Sequence, residues 1–142
     1  MALNWAKAGI NHVPSYQISG IPYVTSSNLQ ECTSETTSIR VQFPYVTSWI
    51  IVQCTGSATS NGTLKFGFSD NGVTSRAKVS DNRFFILKDG QSTPRLELRC
   101  KELYFARSGS VSTGFNVIAG LTTIVRGNLI DITGSSGFSG IG

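Results

Sequence analysis

Glycine, serine, asparagine and aspartate interrupt this chain so often that no helix of ordinary length fits between them. The clusters "TGSATSNG", "DNG" and "KDGQ" carry turn chemistry, and runs rich in β-branched and aromatic residues lie between such clusters. The runs are "IPYVTS" (21–26), "SIRVQF" (38–43), "VTSWIIVQC" (46–54), "TLKFGFS" (63–69), "RFFILK" (83–88), "PRLELRC" (94–100), "KELYFAR" (101–107) and "FNVIAGLTTI" (115–124). About eight strands on a chain of 142 residues predict one all-β domain, a single antiparallel β-sandwich of two packed sheets. The one helical expectation is a short turn around Asn4 to Gly9. Residues 1–20 read as an extended N-terminal arm, residues 21–142 as the sandwich.

Phase within the runs assigns faces. In "RLELRC", Leu96, Leu98 and Cys100 alternate with Arg95, Glu97 and Arg99, the pattern of a half-buried strand. Beyond Cys100 the apolar set shifts to Leu103 and Phe105, so the alternation slips near Lys101 and Glu102; a β-bulge, or a bend between sheets, resets phase in this way. "WIIVQC" is apolar at four successive positions, which suggests a central strand covered on both faces or one that faces another subunit. The expected core is Trp49, Ile51, Phe66, Phe68, Phe85, Leu87, Leu96, Leu98, Leu103, Phe105 and Ile118.

The stretch "PYVTS" occurs twice, at 22–26 and at 44–48. A repeat architecture needs at least three copies at a fixed period, and no third copy follows. Proline donates no backbone hydrogen bond and sits at strand starts or edges, so the two copies read as two similar strand openings, with equivalent contact surfaces in an assembly as the alternative.

Charged residues make up 14% of the chain, well below the ~25% usual for soluble domains, and leave a surface of Ser, Thr, Asn and Gly with little to oppose association. The net charge is +4, but the basic residues are scattered, and Arg95, Arg99, Lys101 and Arg107 are interleaved with Glu97 and Glu102. A solvated or interfacial strand face is the expectation, not a specific nucleic-acid site. Cys32, Cys54 and Cys100 have no C-x-x-C spacing, so no metal site is expected, and three free thiols in a reducing compartment are. The opening "MALNWAKAGINHV" lacks the pattern of a signal peptide, and no apolar run is long enough for a membrane span. His12 is the single histidine, no G-x-S-x-G, P-loop or H-E-x-x-H motif is present, and the carboxylates are dispersed; the chain is expected to be no enzyme and to need no cofactor.

In the arm, Trp5, Ile10, Val13 and Tyr16 are apolar or aromatic, whereas Gly9, Pro14 and Gly20 break regular structure. With Tyr23 and Tyr45 of the two "PYVTS" copies, these residues are the candidate assembly interface, and the arm is expected to carry contacts between subunits instead of completing the core. The arm "NWAKAGINHVPSYQISG", the Gly-rich tail "TGSSGFSGIG" and the stretches "GIPYVTSS", "RLELRCKELYF" and "TGFNVIAGLTTI" give the chain a composition that is similar to small jelly-roll virion proteins. These are minor capsid and penton proteins of large double-stranded DNA viruses, and phage head-decoration proteins. The resemblance implies an eight-stranded jelly roll and a role in building or cementing a shell, in the virion, with other capsid proteins and copies of itself as partners. No motif fixes a residue correspondence. The alternative reading is a carbohydrate- or receptor-binding β-sandwich, with Asp70, Asn71, Asp81 and Asn82 beside Phe84 and Phe85 as the glycan-binding loops.

Overall fold

A computed structural model describes residues 9–17, 20–27, 32–56, 62–74, 83–130 and 141. Its strands are β1 (Ile21–Ser26), β2 (Ile39–Gln42), β3 (Tyr45–Gly56), β4 (Thr63–Gly67), β5 (Phe85–Lys88), β6 (Glu102–Ser108) and β7 (Gly114–Val125). They form two antiparallel sheets in a sandwich-like arrangement, one ordered β1-β7-β3 and the other β2-β6-β4-β5. Among the described residues three short helical turns interrupt the pattern: α1 (Pro14–Gln17), which begins on a proline, α2 (Asp70–Thr74), where a turn was expected, and a single 3-10 turn (Arg126–Asn128) after β7. The helical turn expected at Asn4 to Gly9 falls almost wholly outside the described residues.

Seven of the eight expected runs are strands; the exception is 94–100. That segment lies beside β3 without forming a continuous ladder. It is tied there by a bridge between Ile50 and Leu96 and by the Thr47 N–H to Cys100 O bond (3.0 Å), and the residues just before it by a bridge between Gln53 and Ser92 and the Thr93 N–H to Val52 O bond (2.8 Å). A hydrogen bond from Leu98 N–H to Leu96 O (3.0 Å) kinks the segment and breaks its alternation. The pairings nest along the chain: β1 with β7, β2 with β6, β3 with 91–100, and β4 with β5. At Lys101 the chain leaves the edge of β3 for β6 in the other sheet. The phase slip at Lys101 and Glu102 is this bend between sheets.

The main core lies between the sheets. Phe43, Ile50, Val52, Leu64, Leu103, Phe105, Phe115 and Val117 are buried there, joined by Phe66, Leu87, Ala119 and Leu121. Four of the eleven residues expected in the core, Phe66, Leu87, Leu103 and Phe105, are buried, and Phe68 and Leu96 pack partly buried against them. The other five need correction. In β3 the inward set is Ile50, Val52 and Cys54, so Trp49 and Ile51 point away from the core; in β7 it is Phe115, Val117 and Ala119, so Ile118 points outward. Both strands are apolar at both parities, and alternation alone cannot select the inward set. Phe85 is on the inner side but 59% exposed, because β5 is the outermost strand of its sheet. Leu98, at the kink, is 37% exposed.

The two "PYVTS" copies flank the same strand. The first pairs with the stretch Asn116 to Gly120 of β7, and the second opens β3 on the opposite side, with Tyr45 opposite Val125. Pro22 lies in an edge strand, where its missing N–H costs no ladder bond.

Candidate interaction surface

Opposed residues of antiparallel strands project to the same side of a sheet, so the β1-β7-β3 register fixes what the outer face presents. Three rows cross it. Ser26, Asn116 and Gln53 form a polar row, Val24, Ile118 and Ile51 an apolar one, and Pro22, Gly120 and Trp49 a third. Val24 is 71% exposed and Ile118 40%, while Ile51 and Trp49 are half-buried. A shallow depression of about 430 Å³ lies over the first two rows, with Ser92 on its rim. None of the nine residues is charged. Asn116 Nδ2 donates to Gln53 Oε1 at 3.2 Å, and the nearby Arg95 is paired with Glu97 at 2.9 Å.

Trp49 is held flat on this face. Gly120 lies directly under its indole, where a Cβ would come within 2.2 Å of Nε1, and the Arg95 guanidinium lies 5.2 Å from the ring centroid. The backbone of Gly20 approaches Gly120 as closely, since a Cβ on Gly20 would be 2.5 Å from the Gly120 Cα.

The described part of the N-terminal arm lies farther along the same sheet. Val46, Ile124 and Leu129 form a second apolar cluster, separate from the main core, and Ile10 and Tyr16 pack against it. Tyr16 Oη donates to Ile10 O at 2.9 Å; Arg99 Nη1 donates to the same oxygen at 3.3 Å, and its guanidinium lies 5.9 Å from the Tyr16 ring centroid. His12 Nδ1 and Ser15 Oγ share a 2.7 Å hydrogen bond at the start of α1.

Of the six residues expected at an assembly interface, Ile10 and Tyr16 are thus brought together inside the chain. Val13 and Tyr45 are exposed, whereas Tyr23 packs edge-on against Phe43 at 5.1 Å, and Trp5 lies outside the described residues. Sequence reasoning missed Val24 and Ile118 as surface residues. The signal was the lack of alternation in "WIIVQC" and "NVIAGL", which marks two apolar faces in neighbouring strands.

The outer face of the other sheet differs. It carries Arg40, which meets Glu102 at 3.9 Å, and Tyr104, whose Oη donates to Glu102 at 3.1 Å. Burial and the Glu102 charge push the Tyr104 phenol above its usual range. Lys65 is buried on this side, its Nζ donating to Glu35 O at 3.5 Å and lying 5.1 Å from the Phe84 ring centroid; burial lowers its pKa, with the Glu35 charge opposing.

Of the loop residues considered for glycan binding, Asp70 heads α2 and accepts a hydrogen bond from Ser38 Oγ. Asn71 is exposed, and Asp81 and Asn82 lie outside the described residues. Among the described residues no group of three or more His, Cys, Asp or Glu side chains could hold a metal ion, and no helix is long and apolar enough to cross a membrane. No family model matches the chain, and no curated protein matches it.

Proposed function

We propose that this protein is a structural subunit of a virion shell, a minor capsid, penton or cement protein that assembles through contacts with copies of itself and with other shell proteins. The observation that carries this reading is the outer face of the β1-β7-β3 sheet, where nine uncharged residues form three rows with the Val24, Ile118 and Ile51 row at their centre. A contiguous apolar surface without charge favours association, and a subunit packed among neighbours buries it.

The nested strand pairing supports a jelly roll. With 91–100 taken as the sixth of eight strands, the partners are first with eighth, second with seventh, third with sixth and fourth with fifth. One long antiparallel hairpin wrapped into two sheets has this order, and jelly rolls are a recurrent architecture of shell proteins.

Native mass spectrometry and negative-stain images of the purified protein test the reading. Discrete pentamers fit a vertex subunit, and trimers, or monomers that decorate a preformed shell, fit a cement role. A protein that neither associates with itself at high concentration nor binds any shell defeats it.

A further inference from the structure

We infer that the three-row part of the outer face of the β1-β7-β3 sheet is a two-fold contact between copies of this chain, with Ile118 on the symmetry axis. The inference rests on the assembly reading and names the partner and the geometry.

The argument is one of self-complementarity. A two-fold axis lying in the contact plane and running along β7 keeps each cross-strand row at its own level and reverses it from left to right. Ile118 then meets Ile118 of the second copy, Val24 meets Ile51, and Pro22 meets Trp49; Asn116 meets Asn116, and Ser26 meets Gln53. Apolar rows fall on apolar rows and the amide row on the amide row, and each amide has a polar partner opposite; the charge that the contact meets is Arg95, over Trp49 at the end of the third row, where it is exposed and paired with Glu97. An axis running across the strands would instead set the amide row against Trp49 and Pro22, leaving amides buried against apolar groups.

Shape fits the same arrangement. Val24 is the most exposed large apolar side chain of the face, and Ile51 lines the shallow depression two strands away. The axis along β7 lowers Val24 of each copy into the depression of the other, the reciprocal fit that an isologous interface requires. Edge-to-edge pairing through β1 is disfavoured because Pro22 interrupts the row of donors on that edge, so the copies meet face to face, as aligned sheets pack.

Area sets the strength. Three strands ~4.8 Å apart and three rows ~6.8 Å apart cover roughly 300 Å² per copy, against the ~800 Å² of a standard stable interface. The isolated pair is therefore weak and concentration-dependent, and further contacts in an assembly reinforce it.

Sedimentation equilibrium over rising concentration, with circular dichroism to monitor folding, tests the contact. The wild type is expected to associate, and both Ile118→Lys and Val24→Lys to weaken that association at least tenfold with unchanged spectra. Val24, being largely exposed, tolerates the lysine even if Ile118→Lys fails to fold. Ile118→Cys supplies a second measurement: a short bismaleimide should link it to a second copy, while Cys32, Cys54 and Cys100 are buried and do not compete. Oligomers that survive both lysine variants overturn this contact and leave the assembly reading standing. A wild type that stays monomeric throughout also overturns it, including the case in which a different protein occupies the face, and binding of the protein to a preformed shell, seen in negative-stain images, then judges the assembly reading.

Discussion

The rings of Phe105 and Phe115 lie stacked between the two sheets, 3.9 Å between centroids and 8° between planes. Phe105 comes from β6 and Phe115 from β7, so this stack joins the sheets directly, and Phe66 of β4 adds a tilted ring 6.4 Å from Phe105. Both stacked rings are buried. Aromatic pairs add roughly 0.5–1.5 kcal/mol to the stabilisation that comes from area alone.

Truncating either ring leaves a cavity that the opposite sheet cannot easily fill. Phe115→Ala is expected to cost about 3–5 kcal/mol, read as a lower urea midpoint at unchanged slope. A loss below about 1 kcal/mol would mean that the sheets do not meet at this stack.

Leucines of the same chain should separate by position. Leu103 is fully buried in β6, and Leu103→Ala is expected to cost about 2–5 kcal/mol. Leu98 sits at the kink beside β3 with 37% of its surface exposed, so Leu98→Ala should cost about 1 kcal/mol or less. Equal losses in urea unfolding would contradict the placement of 94–100.

What the sequence made legible follows from the physics of each element. Turn clusters and β-propensity located seven strands, because these signals are local. In "RLELRC" the clean alternation was only partly a guide: Cys100 is buried and Leu96 partly so, but the kink leaves Leu98 exposed, and the slip at Lys101 is where the chain changes sheets. Faces were not legible in β3 and β7, where Trp49, Ile51 and Ile118 share their runs with Ile50, Val52 and Val117. Inward and outward residues there are chemically alike, and only pairing partners distant in sequence fix the phase. The candidate surface was hidden for that reason, although the reading of "WIIVQC" as a strand that could face another subunit pointed to it. The packing of Ile10 and Tyr16 on Val46, Ile124 and Leu129 was not legible either, because these partners lie more than twenty residues away and no local pattern reveals them.

Gly120 and Trp49 should behave as a coupled pair. A methyl group at position 120 meets the indole, which must tilt away and give up its contact with Arg95. Gly120→Ala is expected to cost about 1–3 kcal/mol in the wild type and distinctly less in a Trp49→Ala background. Additive losses in this double-mutant cycle would show that the indole does not lie over the glycine.

Cys100 makes stability depend on alkaline pH. Burial pushes its thiol up to about 11 from an ordinary 9.0; the Thr47 hydroxyl, 3.3 Å from Sγ, opposes this and the Glu102 charge adds to it. Between these values the folded chain keeps the proton and the unfolded chain releases it. The contribution is therefore complete below pH 9 and is lost as pH rises toward 11, by roughly 3 kcal/mol at most. Urea midpoints at pH 8 and pH 11 should fall further for the wild type than for Cys100→Ala. Parallel falls would assign the alkaline loss to other groups.

The N-terminal segment is expected to stabilise the sandwich as well as any assembly. Tyr16 covers the Val46, Ile124 and Leu129 cluster, and its hydroxyl shares the Ile10 carbonyl with Arg99. Tyr16→Phe removes one hydrogen bond and should cost about 0.5–1.5 kcal/mol. Tyr16→Ala also uncovers apolar surface on β3 and β7, so its loss should be clearly larger and should bring faster hydrogen exchange in 9–17 and at Val46 and Ile124. A chain that starts at Ile21 should melt lower than the full chain for the same reason. If Tyr16→Ala and the shortened chain both keep the wild-type melting temperature while self-association is lost, the segment serves only contacts between subunits, and its packing on the second cluster contributes nothing to the fold.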